Sequence, residues 1–557
     1  MVEVLKMRHW LNSWIMALCW IVGLQAQTPT YDSGGILMPE QAAFDVHFYE
    51  LSLAIKPEEK SIEGVLLMEA EIIHPTAQIV LNLDSLLDIR QIEEVQSSDQ
   101  KMALTYHRQS GLIYIQLNQT RQAGEAIQLS IAYGGRPRRA PNAPWQGGFS
   151  WEKTPSGAHW IATTCQQEGA DVWWPNKDHV SDKPDSMALH IRVPAPLVVA
   201  TNGRLQSVEE HFNQDRTYHW LISTPISNYN VALNIAPYRL IETEHTGVSG
   251  EHYPVQFYVL PEDFEKGEKL LPEILDHLAF FEDLLGPYPF RKDKYGVAQT
   301  PHLGMEHQSI IAYGAGFDNA RMTGRDWGFD ALHHHELSHE WWGNLVTNFD
   351  WRDMWIHEGF GTYMQALYVE RLSGKGRYRD YMTGMRRFAN LNAVAPRATK
   401  TAKEIYRAPI YNKGAWILHT LRFVMGDQAF FKTLRLMAYP DPQLEEINDG
   451  RHIRFATTDD FLYLAEQSGG IELDWFFELY LRQAKVPVLH FTRTETSLEL
   501  RWESPNHLPC PLPLEISINR QVKRYDIPTE GLSIPMEKEA EFLIDPNHWV
   551  LKELQRE

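Results

Sequence analysis

The chain is short of cysteine, has no excess of basic residues, and shows no long apolar run beyond its N-terminal stretch. Each scarcity excludes something. Three cysteines occur in 557 residues, and Cys19 falls in the N-terminal apolar stretch, which leaves Cys165 and Cys510 far apart. Two distant cysteines do not make a disulfide framework, so both are expected to be free. Lys and Arg total 52 against 72 Asp and Glu, a formal net charge of -20. Phosphate backbones require clustered basic side chains, so no nucleic-acid partner is expected. The acidic balance reads as a solubilising coat, with at most a weak pull on cationic ligands. Internal repeats and low-complexity linkers are missing too, and nothing in the sequence speaks to oligomeric state.

What is present begins with a leader. Lys6 and Arg8 precede the mostly apolar stretch Trp10 to Leu24, which is too short to span a bilayer comfortably, and "GLQAQT" offers Ala26 for cleavage before Gln27. Residues 1–26 are therefore expected to be a signal peptide. Cys19 follows Leu18 rather than a small residue, which argues against a lipid anchor. The mature chain is expected to be exported, to a periplasm or the extracellular space, without a membrane span.

The body of the chain changes character twice. From about 27 to 242 it is β-rich: "VLLMEAEIIH", "LIYIQLN", "AIQLSIAY", "MALHIRVP" and "YNVALNIAPY" are short apolar or alternating runs between turn residues. From 243 to 485 it is mainly helical. "LLPEILDHLAFFEDLLG" has helical apolar spacing and stops at Gly286-Pro287, and "GAWILHTLRFVMG" and "LDWFFELYLRQA" continue the pattern. From 486 to 557, "LHFTRTETSLELRW", "LEISIN" and "EAEFLIDP" suggest a small β-sandwich.

Within the helical part, "WGFDALHHHELSHEWWGNL" is expected to form one helix, since it lacks proline and carries glycine only near its end. His335 and His339 would then lie one turn apart on one face, where two imidazoles can meet an ion at about 2.0–2.1 Å. Glu336 lies beside them, able to reach a metal-activated water without ligating the ion. His333 and His334 are out of register and read as flanking residues. A catalytic metal needs a third protein ligand and an open position. Eighteen residues separate His339 from Glu358, in a second candidate helix, "WRDMWIHEGFGTYMQALYVERL". Glu358 is the natural third ligand, with Asp353 and Glu340 as competitors.

HExxH, eighteen residues, then Glu inside "WRDMWIHEGF" resembles the zinc aminopeptidases related to aminopeptidase N, the M1 peptidases. "HEWWGNLVT", Trp351, Asp353, Trp355, Gly359, Phe360 and Tyr363 fit the same family. The resemblance extends to "HLGMEHQSIIAYG", a GxMEN-like segment with Gly304, Met305 and Glu306 in order. It implies that Glu306 binds the free α-amine of a peptide, a carboxylate being the counter-charge that sets the register of the first peptide bond. "PWQGGFSWEKTPSGAHWIATTCQQEGADVWWPNKD" resembles the stretch that runs into the active site, which implies that Gln166 accepts a hydrogen bond from that amine; Gln167 and Glu168 are alternatives if the alignment slips. "YNKGAW" matches the family's YxKG and implies that Tyr411 donates to the oxyanion, as a phenol neutral at pH 7 can. Two departures stand out: His307 replaces the family's Asn, and Gln365 stands where many relatives carry Glu beside a ligand histidine. "GMEH" fits a bacterial secreted three-domain branch.

The expectation is thus a multidomain α+β protein: a saddle-like β N-domain, a thermolysin-like, mainly α catalytic domain and a small β-sandwich. It would bind one Zn2+ through His335, His339 and Glu358, and hydrolyse the N-terminal residue from peptides with a free N-terminus. Glu336 would act as general base and Tyr411 as oxyanion donor, with Gly304, Met305, Glu306 and Gln166 binding substrate. The competing readings are a thermolysin-type zinc endopeptidase, which needs no amine anchor, and an inactive peptide-binding relative.

Overall fold

The computed structural model describes residues 32–97 and 100–557. The expected signal peptide lies outside the described residues. Asp32 to Glu557 form one compact unit, and among the described residues no helix is long and apolar enough to cross a membrane.

The β-rich part is built on an eight-stranded sheet. Its order is Arg204–Glu210, Asp215–Ile222, Ser186–Pro194, Phe44–Lys56, Ser61–Ile72, Ala126–Gly135, Leu87–Ser97 and Gln100–Ala103. The strand Ser186–Pro194 shows why it forms: Met187, Leu189, Ile191 and Val193 are buried while the residues between them are partly exposed, the period of a sheet with one face on a core. A four-stranded sheet (Val198–Thr201, Leu233–Ala236, His159–Thr164, Gly148–Lys153) leads directly into the segment carrying Gln166.

A five-stranded sheet follows, ordered Arg239–Thr246, His252–Val259, Tyr295–Gln299, Ile311–Tyr313, Gly304–Met305. The division expected at 242/243 falls inside its first strand. Gly304–Met305 is the edge, antiparallel to Ile311–Tyr313. Helix α1 (Phe264–Leu285) ends where Gly286 takes a φ of 108° and its N–H bonds Glu282 O.

The metal-motif helix is shorter than its sequence suggests. Helix α2 spans only Ala331–Ser338, capped by Asp330, whose carboxylate accepts from His333 N. Beyond His339 the amides of Asn344, Leu345 and Val346 bond carbonyls five residues back, at 2.9–3.1 Å. These wide turns, with Gly343 at φ 140°, deliver the chain into the strand Val346–Asn348. Helix α3 (Trp355–Gly384) is longer than expected, with a break at Gly374 (φ 78°, ψ 177°). Helices α4 (Ala402–Ile405) and α5 (Asn412–Met425) complete the frame of the site. After helix Asp474–Tyr480 the chain builds a four-stranded and a three-stranded sheet, whose Leu489, Leu500, Trp502, Leu514 and Ile516 join the buried core. Cys165 and Cys510 are buried and not disulfide-bonded.

Candidate metal centre and peptide cleft

Helices α2 and α3 cross so that His335, His339 and Glu358 converge. His335 Nε2 and His339 Nε2 are 3.2 Å apart, and they lie 3.3 and 3.6 Å from Glu358 Oε2. Four-coordinate zinc with bonds of about 2.0–2.1 Å requires donors about 3.3–3.4 Å apart, so the triangle fits such an ion. The donor chemistry fits as well. His339 Nδ1 lies 3.0 Å from Trp342 O; a carbonyl only accepts, so Nδ1 carries the proton and Nε2 presents its lone pair. Burial lowers the His339 pKa to about 4, although Glu358 opposes the shift, so the imidazole is neutral. Burial would raise the Glu358 carboxyl, but its contacts with the two imidazoles, His335 first, and its hydrogen bond from Tyr411 win and hold it below its usual range. Glu358 Oε2 is a buried oxygen without a hydrogen-bond partner. That is the atom aimed at the two imidazoles.

The other oxygen of Glu358 is fully engaged. Tyr411 OH donates to Oε1 at 2.7 Å, and Tyr406 OH lies 2.9 Å from it. Tyr406 OH is also 2.6 Å from Gln166 Oε1; its single proton can serve only one of these acceptors at a time. Gln166 Nε2 donates to Glu306 Oε1, which also accepts from Tyr229 OH at 3.3 Å. Asn344 Nδ2 donates to Glu306 O at 3.1 Å, fixing the end of the edge strand. Burial, reinforced by the neighbouring Glu358, pushes the Glu306 carboxyl up to about 8. Burial likewise raises Glu336 well above its usual range, helped by Glu306 and Glu358. A cationic amine arriving here would meet carboxylates short of positive charge.

Two close approaches hold this arrangement. A Cβ on Gly304 would run into Glu336 Oε1, so only glycine lets the edge strand lie against that carboxylate. A Cβ on Gly359 would sit 3.0 Å from both Gly414 Cα and Ile410 O, so α3 and α5 touch backbone to backbone. Glu358 and Tyr411 are the neighbours of that contact in sequence, which is how two remote motifs meet.

All nine residues singled out for the site, Gln166, Gly304, Met305, Glu306, His335, Glu336, His339, Glu358 and Tyr411, line one cavity of about 120 Å³. The competing ligands go elsewhere: Asp353 accepts from Thr458 Oγ1 at 2.6 Å and Glu340 from Ser309 N at 2.8 Å. His333 Nδ1 lies 2.8 Å from His277 Nδ1 and its Nε2 lies 2.9 Å from Tyr295 OH, while His334 packs among Phe280, Phe281, Phe329 and Tyr368. His307 is fully buried and is not among the residues that line the cavity. Gln365 donates to Ala331 O at 2.8 Å and accepts from Tyr381 OH at 3.2 Å, and His335 Nδ1 is left without a partner. Sequence reasoning missed Tyr229, Asn344, Trp145 and Met322, and set Tyr406 aside. Asn344 lay inside "HEWWGN", Trp145 at the start of "PWQGGFSW" and Tyr229 at the start of "YNVALNIAPY"; Met322 carries no local pattern.

A His-x-x-x-His pair closed by a glutamate from a second helix, with a free carboxylate alongside, defines the class of hydrolytic zinc sites. Comparison with known proteins narrows the class. The Peptidase family M1 domain model matches residues 275–441 and the Peptidase M1 N-terminal domain model matches residues 46–230, together well over half of the chain. The chain belongs to peptidase family M1. It is 26% identical over 279 residues to Endoplasmic reticulum aminopeptidase 1 of Mus musculus, covering 46% of this chain and 29% of that protein. To the Alanine/arginine aminopeptidase of Saccharomyces cerevisiae it is 27% identical over 241 residues, 40% of this chain and 28% of that one. The chain thus matches less than a third of the length of these curated relatives. The crystal structure of an M1 zinc metallopeptidase from Deinococcus radiodurans superposes with a TM-score of 0.63 at 23% identity, covering 80% of this chain and 96% of that one. A mutant of that protein bound to a Tyr-Ser-Ala substrate gives 0.64.

Proposed function

We propose that this protein is a zinc-dependent aminopeptidase that removes the first residue of peptides with a free N-terminus. One observation carries the reading over an endopeptidase: carboxylate oxygens of Glu306 and Glu336 and a ring nitrogen of His339 all lie within 4.8 Å of one another. An α-amine held by Glu306 is separated from its own carbonyl carbon by only two bonds of about 1.5 Å. The first peptide bond therefore falls at the metal donors; a second residue would carry the carbonyl about 3.3–3.6 Å further and past them.

His335, His339 and Glu358 would hold the ion, which when bound supplies a Lewis acid for a carbonyl and lowers the pKa of water. Glu336 takes the water's proton and returns it to the leaving amine, a role suited to a carboxylate whose proton affinity is raised by burial. Tyr411, whose burial keeps the phenol protonated, donates to the oxyanion. When Tyr406 gives its proton to Glu358, Gln166 Oε1 is free to accept from the substrate amine, beside Glu306. The positive charge of that amine offsets the repulsion between Glu306 and Glu358.

Comparing a short peptide with its N-acetyl form tests the proposal. The free peptide should lose residues one at a time and the capped one should be inert; equal cleavage of both would leave an endopeptidase. Glu336→Gln should retain zinc and lose turnover, which separates an enzyme from an inactive peptide-binding relative. We further propose export after cleavage between Ala26 and Gln27, and a division into three domains near 242 and 485. N-terminal sequencing of the processed chain checks the first, and limited proteolysis the second.

A further inference from the structure

The cavity that receives the first residue also determines which residue it takes. We propose, building on the aminopeptidase reading, that this enzyme selects a neutral, unbranched or γ-branched apolar first residue, leucine or methionine, over basic, acidic and aromatic ones.

Every charged side chain lining the cavity already has a task. Glu306 answers the α-amine, Glu336 the proton transfer, and His335, His339 and Glu358 the metal. The two amides, Gln166 and Gln167, sit on the wall beside Glu306, and Gln166 is tied to it. What remains for a substrate side chain is Pro144, Trp145, Leu303, Met305, Met322 and Leu332. Among the described residues no lysine, arginine or aspartate lines the cavity. A lysine or arginine head would be taken out of water with no carboxylate left to pair with it, and an aspartate or glutamate would face three glutamates, with the ion and the α-amine already committed to those.

Size sets the second limit. The cavity, about 120 Å³, is smaller than the roughly 150 Å³ apolar cavity known to accept benzene. An aromatic first residue would have to push outward against Trp145, which is half-exposed at the mouth. Alanine would leave the apolar wall unfilled. Met322 comes from the irregular segment between the strand Ile311–Tyr313 and α2, and its thioether contacts Gln365 Nε2 at 3.6 Å. Its three rotatable bonds let it follow a flexible substrate chain.

The test is a panel of aminoacyl fluorogenic substrates on the zinc-loaded enzyme, with calorimetric binding of L-leucinamide and L-argininamide to Glu336→Gln. Leucine and methionine should exceed alanine in kcat/KM by about tenfold or more, and lysine, arginine, aspartate and glutamate by about 100-fold. L-leucinamide should bind Glu336→Gln more tightly than L-argininamide. Met322→Glu, a change at a partly exposed position, should lower the leucine rate and raise arginine relative to it by about tenfold or more. Turnover led by arginine, aspartate or phenylalanine would overturn the preference while leaving the aminopeptidase reading intact. No turnover of any member, with no binding of either amide, would overturn that reading and the preference with it.

Discussion

The two oxygens of Glu358 do different work, and the difference is set by two tyrosines. Oε1 is occupied by Tyr411 and Tyr406, so Oε2 alone is left to face the imidazoles. A carboxylate held this way ligates through one oxygen and leaves room for the open position that catalysis needs. Tyr406→Phe removes one of those donors without changing shape. It should weaken zinc binding about tenfold, read by competition with a chelator, and lower KM more than it changes kcat, because Gln166 Oε1 no longer competes for the Tyr406 proton and stays open to the substrate amine. Unchanged zinc affinity together with unchanged KM would remove Tyr406 from the network. Gly304→Ala acts on the neighbouring carboxylate. The added methyl collides with Glu336 Oε1, so that carboxylate, the proposed base, must move. Turnover should fall about 100-fold or more with metal content unchanged, measured by kinetics alongside zinc analysis.

At the scale of elements, the site depends on how closely helices approach. The contact of Gly359 with Gly414 brings α3 and α5 together with no side chain between them. Gly359→Ala inserts a methyl 3.0 Å from two backbone atoms, and overpacking of that kind costs about 1–3 kcal/mol. The melting temperature should drop, and kcat/KM should drop further than stability alone explains, because Glu358 and Tyr411 are separated. A variant that melts early but keeps full kcat/KM would show that the crossing supports the fold and not the site. Sequence patterns exposed the partners of this contact and not the contact itself. The glycines in "EGF" and "YNKG" were visible as motif positions, but nothing in a single chain's periodicity says that they touch. The same limit explains the metal-motif helix. Its helix-favouring composition continues through Trp342, yet the chain leaves α2 after Ser338, because the wide turns and Gly343 must feed the strand Val346–Asn348. His335 and His339 survive the early ending, since His339, the residue just past α2, keeps helical angles (φ -70°, ψ -15°) and so stays one turn from His335. Ligand spacing was therefore legible while the length of its helix was not. Gln166 could be placed only through resemblance, because its partners Glu306 and Tyr406 are 140 and 240 residues away.

Across the whole molecule, the substrate cleft is a joint product of the β-rich and helical parts. Gln166 and Tyr229 arrive from one, and Glu306, His335, His339, Glu358, Tyr406 and Tyr411 from the other, so the seam between them has to hold. Lys294 sits in that seam. Its Nζ donates to Thr201 O at 2.9 Å and to Gly203 O at 2.5 Å, and lies 5.0 Å from the Trp220 ring centre. It is almost wholly buried, and burial lowers its pKa to about 7, against the opposing pull of Asp293 and Glu340. An unfolded chain returns the group to its ordinary value of 10.5. Between those two values the unfolded state binds more protons than the folded one, so this lysine's contribution to stability rises with pH across the window and is least favourable below it. Lys294→Met removes the titration, leaving the two carbonyls short of a donor at every pH alike. The melting temperature of the natural protein minus that of the variant should therefore increase from about pH 6 to about pH 9. A difference that stays flat or falls over that range would mean that the ammonium is held by its two carbonyls and the aromatic ring without any penalty for burial.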